Sequence, residues 1–152
     1  LVGSEMCIRD RVNKLGVPSF VFSREEFIAG VPILEKLAEY DVCLIVLAGF
    51  MNKISDVILQ AFPGKIVNIH PALLPKYGGK GMYGMHVHEA VVKAGERESG
   101  ITIHYINEHY DEGAIIFQAS CPVLPSDTPE EVASKVHALE YAHYPHVIES
   151  LL

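Results

Sequence analysis

Asn68 and His70 stand two residues apart at the end of a short apolar run, KIVNIHP over residues 65–71. In an extended strand, residues i and i+2 point to the same side, so this carboxamide and this imidazole would lie next to each other. Such a pair can donate hydrogen bonds to a developing oxyanion and can move a proton. An isolated Asn-x-His also fits a satisfied polar strand end, so the pair alone does not establish a site.

A third candidate is Asp111, in the polar loop Asn107–Gly113. A carboxylate beside His70 would orient the imidazole and favour its charged form. Taken alone, Asp111 fits a solvated loop residue better, because the same loop also holds Glu108 and Glu112.

Two further patterns carry weaker signals. His86 and His88 do not share a helix face, and no thiol or carboxylate cluster completes a metal site, so we expect surface histidines and no metal. The Gly-rich stretch at residues 76–84 lacks the spacing of a phosphate-binding P-loop, which favours a mobile loop. No serine stands in a G-x-S-x-G context, so a hydrolase elbow is not supported.

The elements that must position these residues follow from apolar periodicity. It predicts strands at residues 17–22, 42–48, 65–69, 100–106 and 114–123, and helices at residues 24–40, 52–62, 85–94 and about 129–151. The first of these helices has a possible break at Gly30–Pro32. A continuous apolar strand such as Val42–Ala48 is typical of a sheet covered by helices on both faces, and the short loop 107–113 predicts an antiparallel pair. We therefore expect an α/β fold with an open, mixed, doubly wound sheet, whose ligands bind beyond the carboxyl ends of the strands.

Composition narrows the class of protein. The chain has 152 residues with 12 Lys and Arg against 19 Asp and Glu, a net charge of −7, which disfavours a general nucleic-acid binder. The longest apolar run, Cys43–Met51, is far too short to span a membrane. Three cysteines without C-x-x-C spacing predict reduced thiols in the cytoplasm rather than a disulfide framework.

The first eleven residues, LVGSEMCIRDR, show neither clean helical nor strand periodicity. We expect residues 1–11 to be a non-native leader and residues 12–152 to form one domain. A frayed native terminus is the alternative.

Several segments are informative in combination. They are AGFM at 48–51, NIHPALLP at 68–75, GITIHY at 100–105 and DEG at 111–113, with Ile115, Ile116 and Gln118 after them. Together they resemble the folate-dependent formyltransferases, and EYAHYP at 140–145 is similar to the branch that formylates glycinamide ribonucleotide in purine synthesis. The resemblance covers residues 12–152, which it implies are part of a catalytic domain, and it implies an open Rossmann-like sheet. It also implies that the family's N-terminal strand–helix units, which hold the substrate phosphate, are missing before Val12.

The resemblance assigns roles residue by residue. It implies that Asn68, His70 and Asp111 are catalytic. It implies folate contacts at Arg24, Leu47, Met51, Asn52, Lys53, Ile54, Ile106, Asn107, Glu108 and Asp111, and ribonucleotide contacts at Gly49, Met51 and Glu140. The implied co-substrate is 10-formyltetrahydrofolate, and no metal is implied. Lys53 departs from the family, which often has an apolar residue there, and the loop 78–85 is longer than in some members.

Three other functions stay open at this stage. A formyltetrahydrofolate hydrolase would use water in place of the amine and carry an N-terminal regulatory domain. A transferase acting on initiator methionyl-tRNA would need a basic RNA-binding extension, which this acidic chain does not show. The third is a folate-binding remnant without turnover. We expect small-molecule partners, no nucleic acid and no membrane, and the sequence carries no signal for an oligomeric state.

Overall fold

The computed structural model describes residues 2–109 and 111–152, and six helices and four strands lie along them. The helices are α1 (Val2–Lys14), α2 (Arg24–Ala29), α3 (Val31–Glu39), α4 (Asp56–Ala61), α5 (Met85–Lys93) and α6 (Pro129–Ser150). The strands are β1 (Ile45–Leu47), β2 (Ile66–His70), β3 (Glu98–Tyr105) and β4 (Ile115–Pro122). Leu1 of the predicted leader and Tyr110 of the loop 107–113 lie outside the described residues. Within the described part of the chain, every helix is too short or too polar to cross a membrane.

The four strands form one mixed sheet in the order β1-β2-β3-β4. β1 runs parallel to β2, whereas the pairs β2–β3 and β3–β4 are antiparallel. The register places Asn68 between Leu47 of β1 and His104 of β3. The predicted mixed sheet and its late antiparallel hairpin are confirmed.

Helices cover both faces of this sheet. Ile66 of β2 belongs to an apolar cluster that α2, α3 and α4 share with β1. Ile69 of the same strand packs into a second cluster, formed by α5, α6, β3 and β4. Because odd and even residues of a strand point to opposite faces, the two clusters lie on opposite sides of the sheet.

Local sequence signals set the helix ends. Ser23 and Glu26 form a capping box at α2, and Gly30, in the left-handed region at φ 74°, ends that helix and precedes α3. The predicted break at Gly30–Pro32 is therefore confirmed. Thr128 and Glu131 form a second capping box, which begins α6 where the sequence predicts a helix start.

Other element predictions are wrong or too long. Val17–Phe22 is not a strand, because no described strand pairs with it, and Phe20 instead contacts the Tyr40 ring at a centroid distance of 5.4 Å. Residues 2–11, for which periodicity predicts no element, lie within α1. β1 spans only Ile45–Leu47 of the predicted 42–48. α4 begins at Asp56, so residues 52–55 form a loop.

Candidate active site

A cleft of about 850 Å³ opens beyond the carboxyl ends of β1 and β2. Its walls come from the loop after β1, the Gly-rich loop before α5, the loop after β3 and one side of α6. This is the place where sheets of this type bind their ligands. The volume is typical of a site for a small organic molecule.

The structure brings Asn68, His70 and Asp111 together at the wall of this cleft. Asn68 and His70 are buried on the same side of β2. Asp111 arrives from the loop after β3, and its Oδ2 lies 3.6 Å from Nδ1 of His70. The three residues thus line one wall of the same cleft, and their catalytic roles remain predictions.

Backbone groups of the Gly-rich loop orient the His70–Asp111 pair. Nε2 of His70 lies 2.7 Å from the carbonyl oxygen of Tyr77, which can only accept, so Nε2 carries a proton. The Asp111 carboxylate accepts a hydrogen bond of 2.8 Å from the N–H of Gly79. Nδ1 of His70 is therefore the ring nitrogen that faces Asp111.

His104 is a site residue that the sequence reasoning missed. It is fully buried on β3, opposite Asn68, and its Nε2 lies 3.4 Å from Nδ2 of Asn68 and 3.7 Å from Oδ1 of Asp111. Its Nδ1 donates to the carbonyl of Tyr105 at 3.0 Å. Burial lowers the pKa of His104, which favours a neutral ring with Nε2 free to accept. The sequence does contain a signal for His104: Thr102 and His104 are two residues apart in a strand, as are Asn68 and His70.

This geometry leaves Asn68 with a donor for a ligand. An amide nitrogen carries two N–H groups, and one of them faces His104. The other remains for an oxygen atom in the cleft. Oδ1 of Asn68 is buried without a hydrogen-bond partner among the described residues, which is the kind of polar atom that a bound ligand or water satisfies.

Thr102 holds the chain segment that follows β2. Its buried hydroxyl donates to the carbonyl of Ala72 at 2.7 Å and accepts from the N–H of Leu74 at 2.9 Å. Gln118 of β4 donates to the same hydroxyl and to the carbonyl of Leu74. These bonds anchor residues 72–74 to the sheet, and the Gly-rich loop continues from that anchor.

Most of the residues expected to contact folate line the cleft. They are Leu47, Met51, Asn52, Lys53, Ile54, Ile106, Asn107, Glu108 and Asp111. Leu47 and Ile54 are buried together with the partly buried Ile106, forming an apolar wall. Lys53 is half-exposed and pairs with Asp56 at 3.3 Å, so its ammonium group stays in solvent. Arg24 does not belong to the cleft: it is exposed at the first residue of α2, and the structure does not bring it to the other candidates.

The residues expected to contact the ribonucleotide, Gly49, Met51 and Glu140, also line the cleft. Burial raises the pKa of the Glu140 carboxyl, while the nearby His137 lowers it. Tyr144, one turn further along α6, donates a buried hydrogen bond of 2.7 Å to the carbonyl of Leu47. This bond ties α6 to the end of β1 and so places Glu140 beside the loop at Gly49.

His88 corrects the expectation of a surface histidine. It is buried on α5 and lines the cleft, whereas His86 is exposed. Burial lowers the pKa of His88, and His137, at a ring-centroid distance of 6.4 Å, lowers it further. Among the described residues, no group of three or more His, Cys, Asp or Glu side chains is placed to hold a metal ion.

Comparison with known proteins gives a consistent result. A family model described as formyl transferase matches residues 4–148. The chain is 39% identical to phosphoribosylglycinamide formyltransferase of Bacillus subtilis over 94% of this chain and 73% of that protein. It is 42% identical to the chloroplastic phosphoribosylglycinamide formyltransferase of Arabidopsis thaliana, covering 90% of this chain and 48% of that protein. The chain thus spans about half the length of its plant relatives.

Solved structures show the same fold. The crystal structure of glycinamide ribonucleotide transformylase 1 from Geobacillus kaustophilus superposes with a TM-score of 0.85 at 36% identity, covering 95% of this chain and 77% of that one. Phosphoribosylglycinamide formyltransferase from Streptococcus pneumoniae superposes with a TM-score of 0.84 at 36% identity, covering 95% and 79%. Together with the matched family model and the cleft geometry, these similarities show that the chain belongs to the formyl transferase family.

Proposed function

We propose that this chain transfers the formyl group of 10-formyltetrahydrofolate to the amine of glycinamide ribonucleotide, a step of purine biosynthesis. The observation that carries the proposal is the convergence of Asn68, His70 and Asp111 on one cleft wall. The names of the most similar relatives support the choice of substrates. A cytoplasmic location and small-molecule partners belong to the same proposal.

The two substrates would occupy different parts of the cleft. The apolar wall of Leu47, Ile54 and Ile106 suits the flat ring system of a folate, with polar backbone groups of the loops 51–54 and 107–109 at its edges. The ribonucleotide would lie toward Gly49 and Glu140, whose carboxylate can accept hydrogen bonds from ribose hydroxyls. The formyl carbon would then lie at the junction, beside Asn68 and His70.

The proposed reaction is an acyl transfer. A bond forms between the amine nitrogen and the formyl carbon, the bond from that carbon to the folate nitrogen breaks, and one proton passes from the amine to the leaving nitrogen. The free N–H of Asn68 would donate to the oxyanion formed on the way, where one preorganised donor contributes substantially. His70 would interact with the same oxyanion or carry the proton, and Asp111 would hold the charged imidazole in place.

Incubating the purified chain with 10-formyltetrahydrofolate and glycinamide ribonucleotide tests the proposal. We expect formylglycinamide ribonucleotide and tetrahydrofolate in equal amounts, both identified by mass spectrometry. His70→Ala serves as the inactive control, and its circular dichroism should match that of the parent chain.

Two outcomes would contradict the proposal. Formate released at the same rate with and without the ribonucleotide would identify a hydrolase. A folded chain that binds formyl folate but forms neither product would identify a binding protein.

A further inference from the structure

The segment Tyr77–Gly79 holds both members of the His70–Asp111 pair. The carbonyl of Tyr77 accepts a hydrogen bond of 2.7 Å from Nε2–H of His70, and the N–H of Gly79 donates a hydrogen bond of 2.8 Å to Asp111. Two backbone groups only two residues apart therefore set the orientation of both side chains. Any movement of this segment changes the contact between imidazole and carboxylate.

The backbone at Tyr77 is in a conformation that needs support. Its φ is 56°, in the left-handed region that is unusual for a large side chain. Its ring packs against the apolar cluster of α5, α6, β3 and β4. Its hydroxyl donates to Oε1 of Glu96 at 3.0 Å. The side chain thus fixes the position of the backbone carbonyl that His70 uses.

Glu96 anchors this arrangement from outside the cleft. It lies in the turn between α5 and β3, and the same Oε1 also accepts from Nζ of Lys76 at 2.9 Å. The hydrogen bonds from Lys76 and Tyr77 lower the pKa of the Glu96 carboxyl, which keeps it ionised at neutral pH. The carboxylate therefore binds two consecutive residues of the loop at once.

The centre of the segment is closely packed. A Cβ at Gly78 would lie 2.5 Å from Cδ2 of Leu74 and 3.2 Å from Cβ of Asp111. The segment therefore has little freedom to shift toward Asp111, and its position depends on its two ends. Tyr77, held by Glu96, is one of those ends.

We infer that Glu96 is a positioning residue for His70. By binding the Tyr77 hydroxyl, Glu96 fixes the position of the Tyr77 backbone carbonyl. That carbonyl in turn keeps His70 protonated at Nε2, with Nδ1 directed at Asp111. Without Glu96, the carbonyl of Tyr77 loses its fixed position, and His70 gains access to the form protonated at Nδ1. The expected change in the His70 tautomer on loss of Glu96 is argued from the structure alone, whereas the expected change in turnover rests on the proposed function.

Nuclear magnetic resonance of the full chain, labelled with ¹⁵N-histidine, tests the inference directly. The ring nitrogen signals of His70 are assigned from the spectrum of His70→Asn. At a pH where His70 is neutral, Glu96→Ala and Tyr77→Phe should move the two ring nitrogen signals of His70 toward each other, as Nδ1–H becomes populated. Glu96→Gln keeps an acceptor for the Tyr77 hydroxyl and should restore the parent spectrum. Glu98→Ala, an exposed glutamate two residues further on, is the matched control and should change nothing.

Unchanged His70 signals in Glu96→Ala would overturn the inference, even if the thermal stability of the variant falls. A purely structural role of Glu96 would lower stability without changing the tautomer populations of His70. Glu96→Ala decides the matter by itself if Tyr77→Phe does not fold. In the transfer assay, Glu96→Ala should lower kcat about fivefold with KM unchanged, the size expected for one orienting hydrogen bond. A chain with no turnover would refute the proposed function, whereas the spectra would still show whether Glu96 controls the His70 tautomer.

Discussion

Replacing Asn68 with alanine separates a catalytic role from a structural one. The side chain makes one long hydrogen bond, to His104 at 3.4 Å, so we expect the substitution to lower the free energy of unfolding by about 1 kcal/mol. The loss of an oxyanion donor costs roughly 10²–10³ in kcat, or about 3–4 kcal/mol. The catalytic effect is therefore the larger one, and kcat distinguishes the two roles.

The assay compares parent, Asn68→Ala and Asn68→Asp in formyl transfer and in urea unfolding. Asn68→Asp keeps the shape of the side chain but places a carboxylate where the oxyanion forms, so it should lose at least as much turnover. KM for formyl folate should change little, because the proposed folate wall consists of other residues. The control is Asn13→Ala, on the exposed side of α1. Near-normal kcat combined with reduced stability would show that the role of Asn68 is only structural.

Three further predictions concern stability and substrate binding. Burial lowers the pKa of His88, so below about pH 6.5 this histidine binds a proton more readily in the unfolded chain than in the folded chain. The free energy of unfolding should therefore fall as the pH drops below about 6.5, by at most about 1.4 kcal/mol per pH unit for this group. In urea unfolding at several pH values, His88→Gln should reduce this dependence to the part that the buried His104 contributes, and the exposed His86→Gln should leave it unchanged. Equal slopes in both variants would contradict the prediction. Tyr144→Phe leaves a buried carbonyl without its donor and should cost about 1–3 kcal/mol of unfolding free energy, whereas Tyr141→Phe, at a residue that is 81% exposed, should cost almost nothing. Glu140→Ala should raise KM for the ribonucleotide about tenfold with the KM of formyl folate unchanged, since hydrogen bonds to a charged group are lost; a parallel rise in both constants would show that α6 has moved.

The parts of the fold that could be predicted are those where burial and local chemistry agree. β2 is a short, largely buried strand that ends at His70-Pro71, and its inner position in the described sheet agrees with the predicted buried strand. The start of α6 is set by capping residues that act locally. Val17–Phe22 has a strand-like composition, yet a strand exists only where a neighbour supplies hydrogen bonds. Such pairing is decided by tertiary structure and cannot be read from six residues.

The candidate site could be predicted only in part for the same reason. Asn68 and His70 are adjacent through strand alternation, which the sequence shows directly. His104 joins them through the register between β2 and β3, which depends on where two strands align. Only the family resemblance assigns Arg24 to the folate site, and the structure leaves it outside the cleft.

The orientation of the site's titratable side chains could not be predicted from the sequence, because backbone groups set it. The carbonyl of Tyr77 holds His70, the N–H of Gly79 holds Asp111, and the carbonyl of Tyr105 holds His104. Every residue has a backbone carbonyl, so the residue types at Tyr77 and Tyr105 do not reveal these contacts. Gly79 leaves a trace in the sequence, since its φ of 90° is one that side chains rarely adopt. Gly79 is thus explained by the backbone conformation that reaches Asp111.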